Sequence, residues 1–233
     1  MITPRITAVN PWEVLRYLGA GQGETPAELL ETVRRCGAEL QAAARPKAVW
    51  RFFDLKGTTL EGTNLALTGQ DIQRHLTDCH QCVLMAATLG ADVEQLLMHV
   101  QVSDMARALI LDSCASAAVE NLCDNLEADL RTQVEAEGCY LTDRFSPGYG
   151  DLPLALQGDF CALLDTQRRI GLTVSESSLL IPRKSVTAIL GIASSPRTTR
   201  SSGCLNCSLF ETCQIRKSGA ACRADEREER DHP

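Results

Sequence analysis

One stretch constrains the architecture of this chain more than any other. From about Ser103 to Glu137 the residues Ala115, Val119, Leu122, Leu126, Leu130 and Val134 recur at three-and-four spacing, the mark of one apolar face on a long helix. On its outer face Glu127 and Arg131 form an i,i+4 pair. A helix of this length needs a partner for its apolar face, and aromatics make up only 4% of the chain against 44% hydrophobic residues. Leu, Ala and Val must therefore do most of the packing.

Partners are legible on both sides. "PWEVLRYLG" (11–19) reads as a short helix ended by Gly19. "ETPAELLETVRRCGAELQAAAR" reads as a second, with Thr25 as N-cap, Pro26 at the first helical position and Glu28 completing a capping box. "AVWRFFDL" (48–55) is β-branched and aromatic, as strands are, and "LEGTNLAL" (60–67) can pair with it across a turn at Lys56–Thr59. A helix is expected over 68–79, with Thr68 as its cap. A buried strand follows over 81–90, then a helix over 91–100. Asp151 is expected to cap a helix running to Gly171, with Pro153 in its first turn. In 185–193, Val186, Ala188, Leu190 and Ile192 alternate as in a half-buried strand. Strands mixed with helices, without strict βαβ alternation, predict an α+β fold with a mainly antiparallel sheet over residues 1–193.

The texture changes at Ser194. Residues 194–203 read as a polar linker, 204–222 as a four-cysteine segment and 223–233 as a disordered charged tail. The net charge of -7 disfavours non-specific binding to nucleic acid or an anionic membrane. No apolar run approaches the roughly 20 residues of a membrane span. The first residues lack the charged-then-apolar layout of a signal peptide, so a cytoplasmic location is expected. In that reducing compartment, clustered cysteines point to metal ligation rather than disulfides.

Between the long helix and the next lies "LTDRFSPGYGDLP" (141–153). Pro147-Gly148 is a turn signal, and Gly148 and Gly150 permit close backbone approach to a ligand. Arg144 offers a rigid fork of donors suited to a carboxylate, and Tyr149 a flat face and a hydroxyl. A zwitterionic small molecule bearing an aromatic base would suit these groups. The bland alternative is a tight connection in which Arg144 caps the preceding helix.

"RFSPGYGDLP" resembles the S-adenosylmethionine-binding loop of the activation domain of cobalamin-dependent methionine synthase, with its arginine, proline and Gly-Tyr. "IPRKSVTAILGIA" resembles that domain's later segment, and "AAVENLCDNLEADL" its acidic helix ahead of the loop. Together these cover about residues 103–193. The resemblance implies that Arg144 binds the methionine carboxylate and that the backbone around Ser146 and Gly148 contacts the adenine or the amino-acid part. It further implies that Tyr149 lines the pocket and that Glu120, with Asp124 as the rival acidic partner, faces the ligand's charged end. The family's larger member carries an aromatic pair in the strand after the Ser-Val. This chain has Ile189 and Leu190, which implies an aliphatic pocket wall.

The implied role is to present S-adenosylmethionine to oxidised cob(II)alamin, so that one electron and one methyl group restore methylcobalamin. The usual corrinoid-ligating pattern is Asp-x-His-x-x-Gly. Here Asp78 and His80 are followed by Val83 where glycine belongs, so cobalamin is expected only in trans, on a corrinoid methionine synthase, with flavodoxin or ferredoxin as electron donor.

Cys204, Cys207, Cys213 and Cys222 place four thiolates within nineteen residues, a set that either a [4Fe–4S] cluster or zinc accepts. The cluster is favoured because reactivation needs an electron. Cys79 and Cys82, beside His75 and His80, read as a redox pair, a metal half-site or a partly buried structural group. Two further readings compete: an iron–sulfur electron-transfer or scaffold module docking a corrinoid protein, and an independent S-adenosylmethionine-dependent methyltransferase. The absence of a Gly-rich nucleotide loop weighs against the second.

Overall fold

The computed structural model describes residues 2–19 and 25–196. The linker from residue 197, the four-cysteine segment and the charged tail lie outside the described residues. The helices are α1 (Pro11–Tyr17), α2 (Ala27–Ala43), α3 (Gln70–His75), α4 (Ala91–Ser103), α5 (Met105–Ala136), α6 (Gln157–Leu164) and α7 (Thr166–Ile170). The strands are β1 (Lys47–Lys56), β2 (Thr59–Leu60), β3 (Cys79–Thr88), β4 (Tyr140–Leu141), β5 (Thr173–Val174), β6 (Leu180–Ile181) and β7 (Ser185–Ala193). Five strands form one antiparallel sheet in the order β2-β1-β3-β7-β4, and β5 and β6 make a small separate ribbon. The expected α+β fold with a mainly antiparallel sheet is present.

Alternation along β3 and β7 sorts the core into two halves, because successive strand side chains point to opposite faces. Val83, Met85 and Ala87 of β3, with Ala188, Leu190 and Ile192 of β7, join the core built by α1, α2, α4 and α5. Cys82, Leu84 and Ala86, with Ile189, join the core built by α3, α6 and the segment after β2. Covered on both faces, β7 is buried from Thr187 to Ala193 rather than half-buried. The same covering corrects the expected aliphatic pocket wall. Ile189 and Leu190 are both fully buried, one in each half of the core, so neither lines an open site.

The long helix forms as the periodicity requires. Asp104 starts α5 by accepting from the Arg107 N–H at 2.9 Å. Its burial is broader than one stripe. Cys114, Ala115, Ala117 and Ala118 are all buried, because α1, α2 and α4 pack around its first half while the sheet lies beneath. Small residues permit that crowding.

Several local expectations are overruled. Helix α2 begins at Ala27 with Pro26 as its N-cap in extended backbone, so Thr25 stands too far back to cap it and no side chain does. The helix expected over 68–79 ends at His75, because Asp78 takes φ 61° and the chain turns directly into β3. Its N-cap is Gly69, not Thr68. The 151–171 helix is broken into a single 3₁₀ turn (Leu154–Leu156), α6 and α7. The break between the two helices is Asp165, which sits in the left-handed region at φ 51°. Of the 60–67 segment only Leu60 is in a strand; Leu65 and Leu67 turn inward as buried anchors.

No helix among the described residues is long and apolar enough to cross a membrane.

Candidate functional site

The loop after β4 is held at three points. Thr142 and Phe145 fasten its start to β7. The Thr142 N–H donates to Gly191 O at 2.8 Å and its hydroxyl accepts from the Gly191 N–H at 2.8 Å, while Phe145 exchanges both backbone bonds with Ile189 at 2.9 Å. The turn itself closes through Gly148 N–H to Leu152 O (2.8 Å) and Tyr149 N–H to Ser146 O (3.0 Å). Gly148 sits at φ 92°, where an L side chain is strained, and a Cβ there would press on Leu154 at 3.2 Å.

The third point is Asp151. Its carboxylate accepts from the backbone N–H groups of Gln70 (2.5 Å) and Asp71 (3.0 Å), so it caps α3 across the fold instead of the helix that follows it in sequence. Orphan N–H groups at a helix start need such an acceptor, and an anion also suits the positive end of the helix. Gly69 and Gly150 allow the close approach: a Cβ on Gly69 would run into Asp151, and one on Gly150 into Asp71.

Arg144 folds back against α5. Its Nη1 donates to Glu127 Oε2 at 2.9 Å, and its Nη2 to Asp124 Oδ1 at 2.7 Å and Glu120 Oε2 at 3.1 Å. Glu120, Asp124 and Glu127 lie one turn apart on a single stripe of the helix, which is why one guanidinium reaches all three. Glu127 is also held by Arg131 at 2.7 Å, and Arg131 donates to Leu141 O at 2.6 Å. The expected Glu127–Arg131 pair is present, but it is tucked under the loop rather than on an outer face. Burial alone would lower the Arg144 pKa. The Cys123 sulfur, Glu127 and Asp124 outweigh that and raise it, so Arg144 is a permanent cation.

An aromatic path runs alongside. His75 meets Phe145 at a tilt of 41° with centroids 5.1 Å apart, and Phe145 meets Tyr149 edge-on at 6.3 Å. His75 Nε2 lies 3.0 Å from Asp143 O and 2.9 Å from the Thr142 hydroxyl, which ties the ring to the start of the loop. Tyr149 is 58% exposed and offers its ring at the mouth of the loop. Tyr17 of α1 lies within electrostatic reach of Glu120; burial first, then that carboxylate, raises its pKa.

Of the residues singled out in sequence, Glu120, Asp124 and Arg144 meet directly, and Ser146, Gly148 and Tyr149 form the adjoining turn. Sequence reasoning missed Glu127, His75, Phe145 and Asp151 as members of this constellation. Only Glu127 had a local signal, its place on the Glu120–Asp124 stripe. Cys82 is fully buried, and its thiol is pushed up to about 12 by burial. Among the described residues no group of three or more His, Cys, Asp and Glu can hold a metal ion. The four cysteines of 204–222 lie outside the described residues.

This architecture defines a class: an α+β protein with the fold of a methionine synthase reactivation domain. No family model matches the chain, and no curated protein matches it. Among solved structures it is similar to the crystal structure of the MetH reactivation domain bound to AdoHcy. The TM-score is 0.60, over 82% of this chain and 76% of that chain, at 15% sequence identity. The likeness at that identity establishes the fold.

Proposed function

We propose that this chain is an activation protein that binds S-adenosylmethionine and supports reductive remethylation of cob(II)alamin on a separate corrinoid methionine synthase. The observation that carries the reading is the Arg144 guanidinium set among Glu120, Asp124 and Glu127 beside the Gly148–Tyr149 turn. The shared fold with a reactivation domain whose structure holds AdoHcy, the demethylated form of that ligand, supports it.

In this reading Arg144 takes the ligand's carboxylate, Glu120 and Asp124 face its ammonium and sulfonium charges, the backbone at Ser146 and Gly148 meets the adenine or the amino-acid part, and Tyr149 covers it. The sulfonium is already an activated leaving group, so the protein's contribution is positioning. The corrinoid partner would supply the methyl acceptor and a donor such as flavodoxin or ferredoxin the one electron, so that the methyl group would pass to the corrinoid with S-adenosylhomocysteine, keeping the carbon–sulfur pair, as leaving group. The reading places the chain in the cytoplasm with its partner. Cys204, Cys207, Cys213 and Cys222 are the proposed holders of a [4Fe–4S] cluster or zinc, which iron, sulfide and zinc analysis of the anaerobically purified chain decides.

Calorimetric titration of that protein with S-adenosylmethionine tests the ligand. Saturable binding, weakened tenfold or more by Arg144→Ala, is expected; no binding at millimolar ligand overturns the reading. Mixing the liganded protein with a corrinoid methionine synthase held as cob(II)alamin and a reduced donor should then produce the methylcobalamin spectrum.

A further inference from the structure

We infer that Asp124 is a displaceable partner of Arg144. Without ligand it occupies the arginine fork; an incoming α-amino acid takes that place with its carboxylate, and Asp124 moves onto the ligand's ammonium. The inference rests on the reading that this site binds S-adenosylmethionine and adds a selectivity device to it.

The three carboxylates around Arg144 are not equivalent. Glu127 is immobilised: its side chain is only 18% exposed, and Arg131, itself tied to the Leu141 carbonyl, grips its second oxygen. The Nη1 edge of Arg144 is therefore committed. Nη2 is shared between Glu120 and Asp124. Asp124 has a side chain 65% exposed, and among the described residues Arg144 is its sole hydrogen-bond partner. Detaching it leaves no buried charge unpaired, and it is the shorter and wetter of the two acids on that nitrogen.

Charge favours the exchange. Three carboxylates face two guanidiniums, Arg144 and Arg131, leaving a surplus negative charge. An α-amino acid end breaks one ion pair, Arg144 with Asp124, and makes two, Arg144 with the ligand carboxylate and Asp124 with the ligand ammonium. The sulfonium then offsets the surplus. A ligand with the ammonium but no carboxylate cannot take the fork, so Asp124 stays on Arg144 and is not released to meet it.

The test is calorimetric titration of the full chain and its Asp124→Asn variant with S-adenosylmethionine and with decarboxylated S-adenosylmethionine, folding being checked by thermal melts. Asp124→Asn should weaken S-adenosylmethionine tenfold or more and leave the decarboxylated compound within twofold, so that the preference between them collapses. Equal weakening of both would make Asp124 a fixed acid and overturn the exchange. Unchanged or tighter S-adenosylmethionine binding would make it a bystander or a mere competitor and overturn it as well. Should the wild type bind neither compound, the ligand reading itself falls and the exchange with it.

Discussion

Removing the Asp151 carboxylate isolates the device that ties the candidate ligand loop to the far side of the fold. Asp151→Ala takes two hydrogen bonds, at 2.5 and 3.0 Å, from the first N–H groups of α3. The site is open to solvent, so water recovers part of the loss. The cost is that of an N-cap, with a contribution from the anion at the helix start, about 1–2 kcal/mol. For a domain of this size that lowers the melting temperature by about 2–8 °C. Asp151→Asn keeps the shape and an acceptor oxygen, so it should recover at least half of the shift. The same change frees one end of the turn bearing Gly148 and Tyr149, so S-adenosylmethionine affinity should fall with stability. Differential scanning calorimetry with and without ligand reads both. A melt of Asp151→Ala within 1 °C of wild type would refute the reasoning, since it would mean water serves Gln70 and Asp71 equally well.

The buried thiols predict alkaline sensitivity. Burial pushes Cys82, Cys114 and Cys123 from the ordinary 9.0 up to about 12, so the folded chain binds more protons than the unfolded one between those values. Their contribution is therefore intact below pH 9 and lost as pH rises toward 12, at up to about 1.4 kcal/mol per pH unit for each thiol. Urea unfolding at a series of pH values should show this decline, and Cys123→Ala should make it shallower by about a third; constant stability between pH 9 and 11 contradicts it. Leu122 is fully buried in the half of the core that α5 shares with the sheet, so Leu122→Ala should cost about 2–5 kcal/mol in urea unfolding. A loss below 1 kcal/mol would mean the helix does not pack there as described.

The residues 103–193 that carried the family resemblance became α5, the loop and β7, and the Arg144 constellation is built from them. What was legible lay in patterns that repeat within one element. The spacing of Leu122, Leu126 and Leu130 announces a helix whatever it packs on, and Gly148 announces a turn because few other residues accept φ 92°. The apolar run of β3 announces a strand buried on both faces.

The sequence by itself determined the elements that local periodicity and backbone sterics dictate: α1, α2, α4, α5, β1, β3 and β7. Only the tertiary structure decided partners. Thr25, Thr68 and Asp151 are all competent caps by type. Asp151 serves α3, some 80 residues away, because the loop after β4 is pinned to β7 and delivered there. Glu127 looked like a solvent-facing half of a helical ion pair until Arg144 was brought over it. Ile189 and Leu190 looked like a pocket wall until both faces of β7 were covered. Hydrogen bonds and ion pairs act over a few ångströms, and those distances between residues remote in sequence exist only once the helices and the sheet have packed.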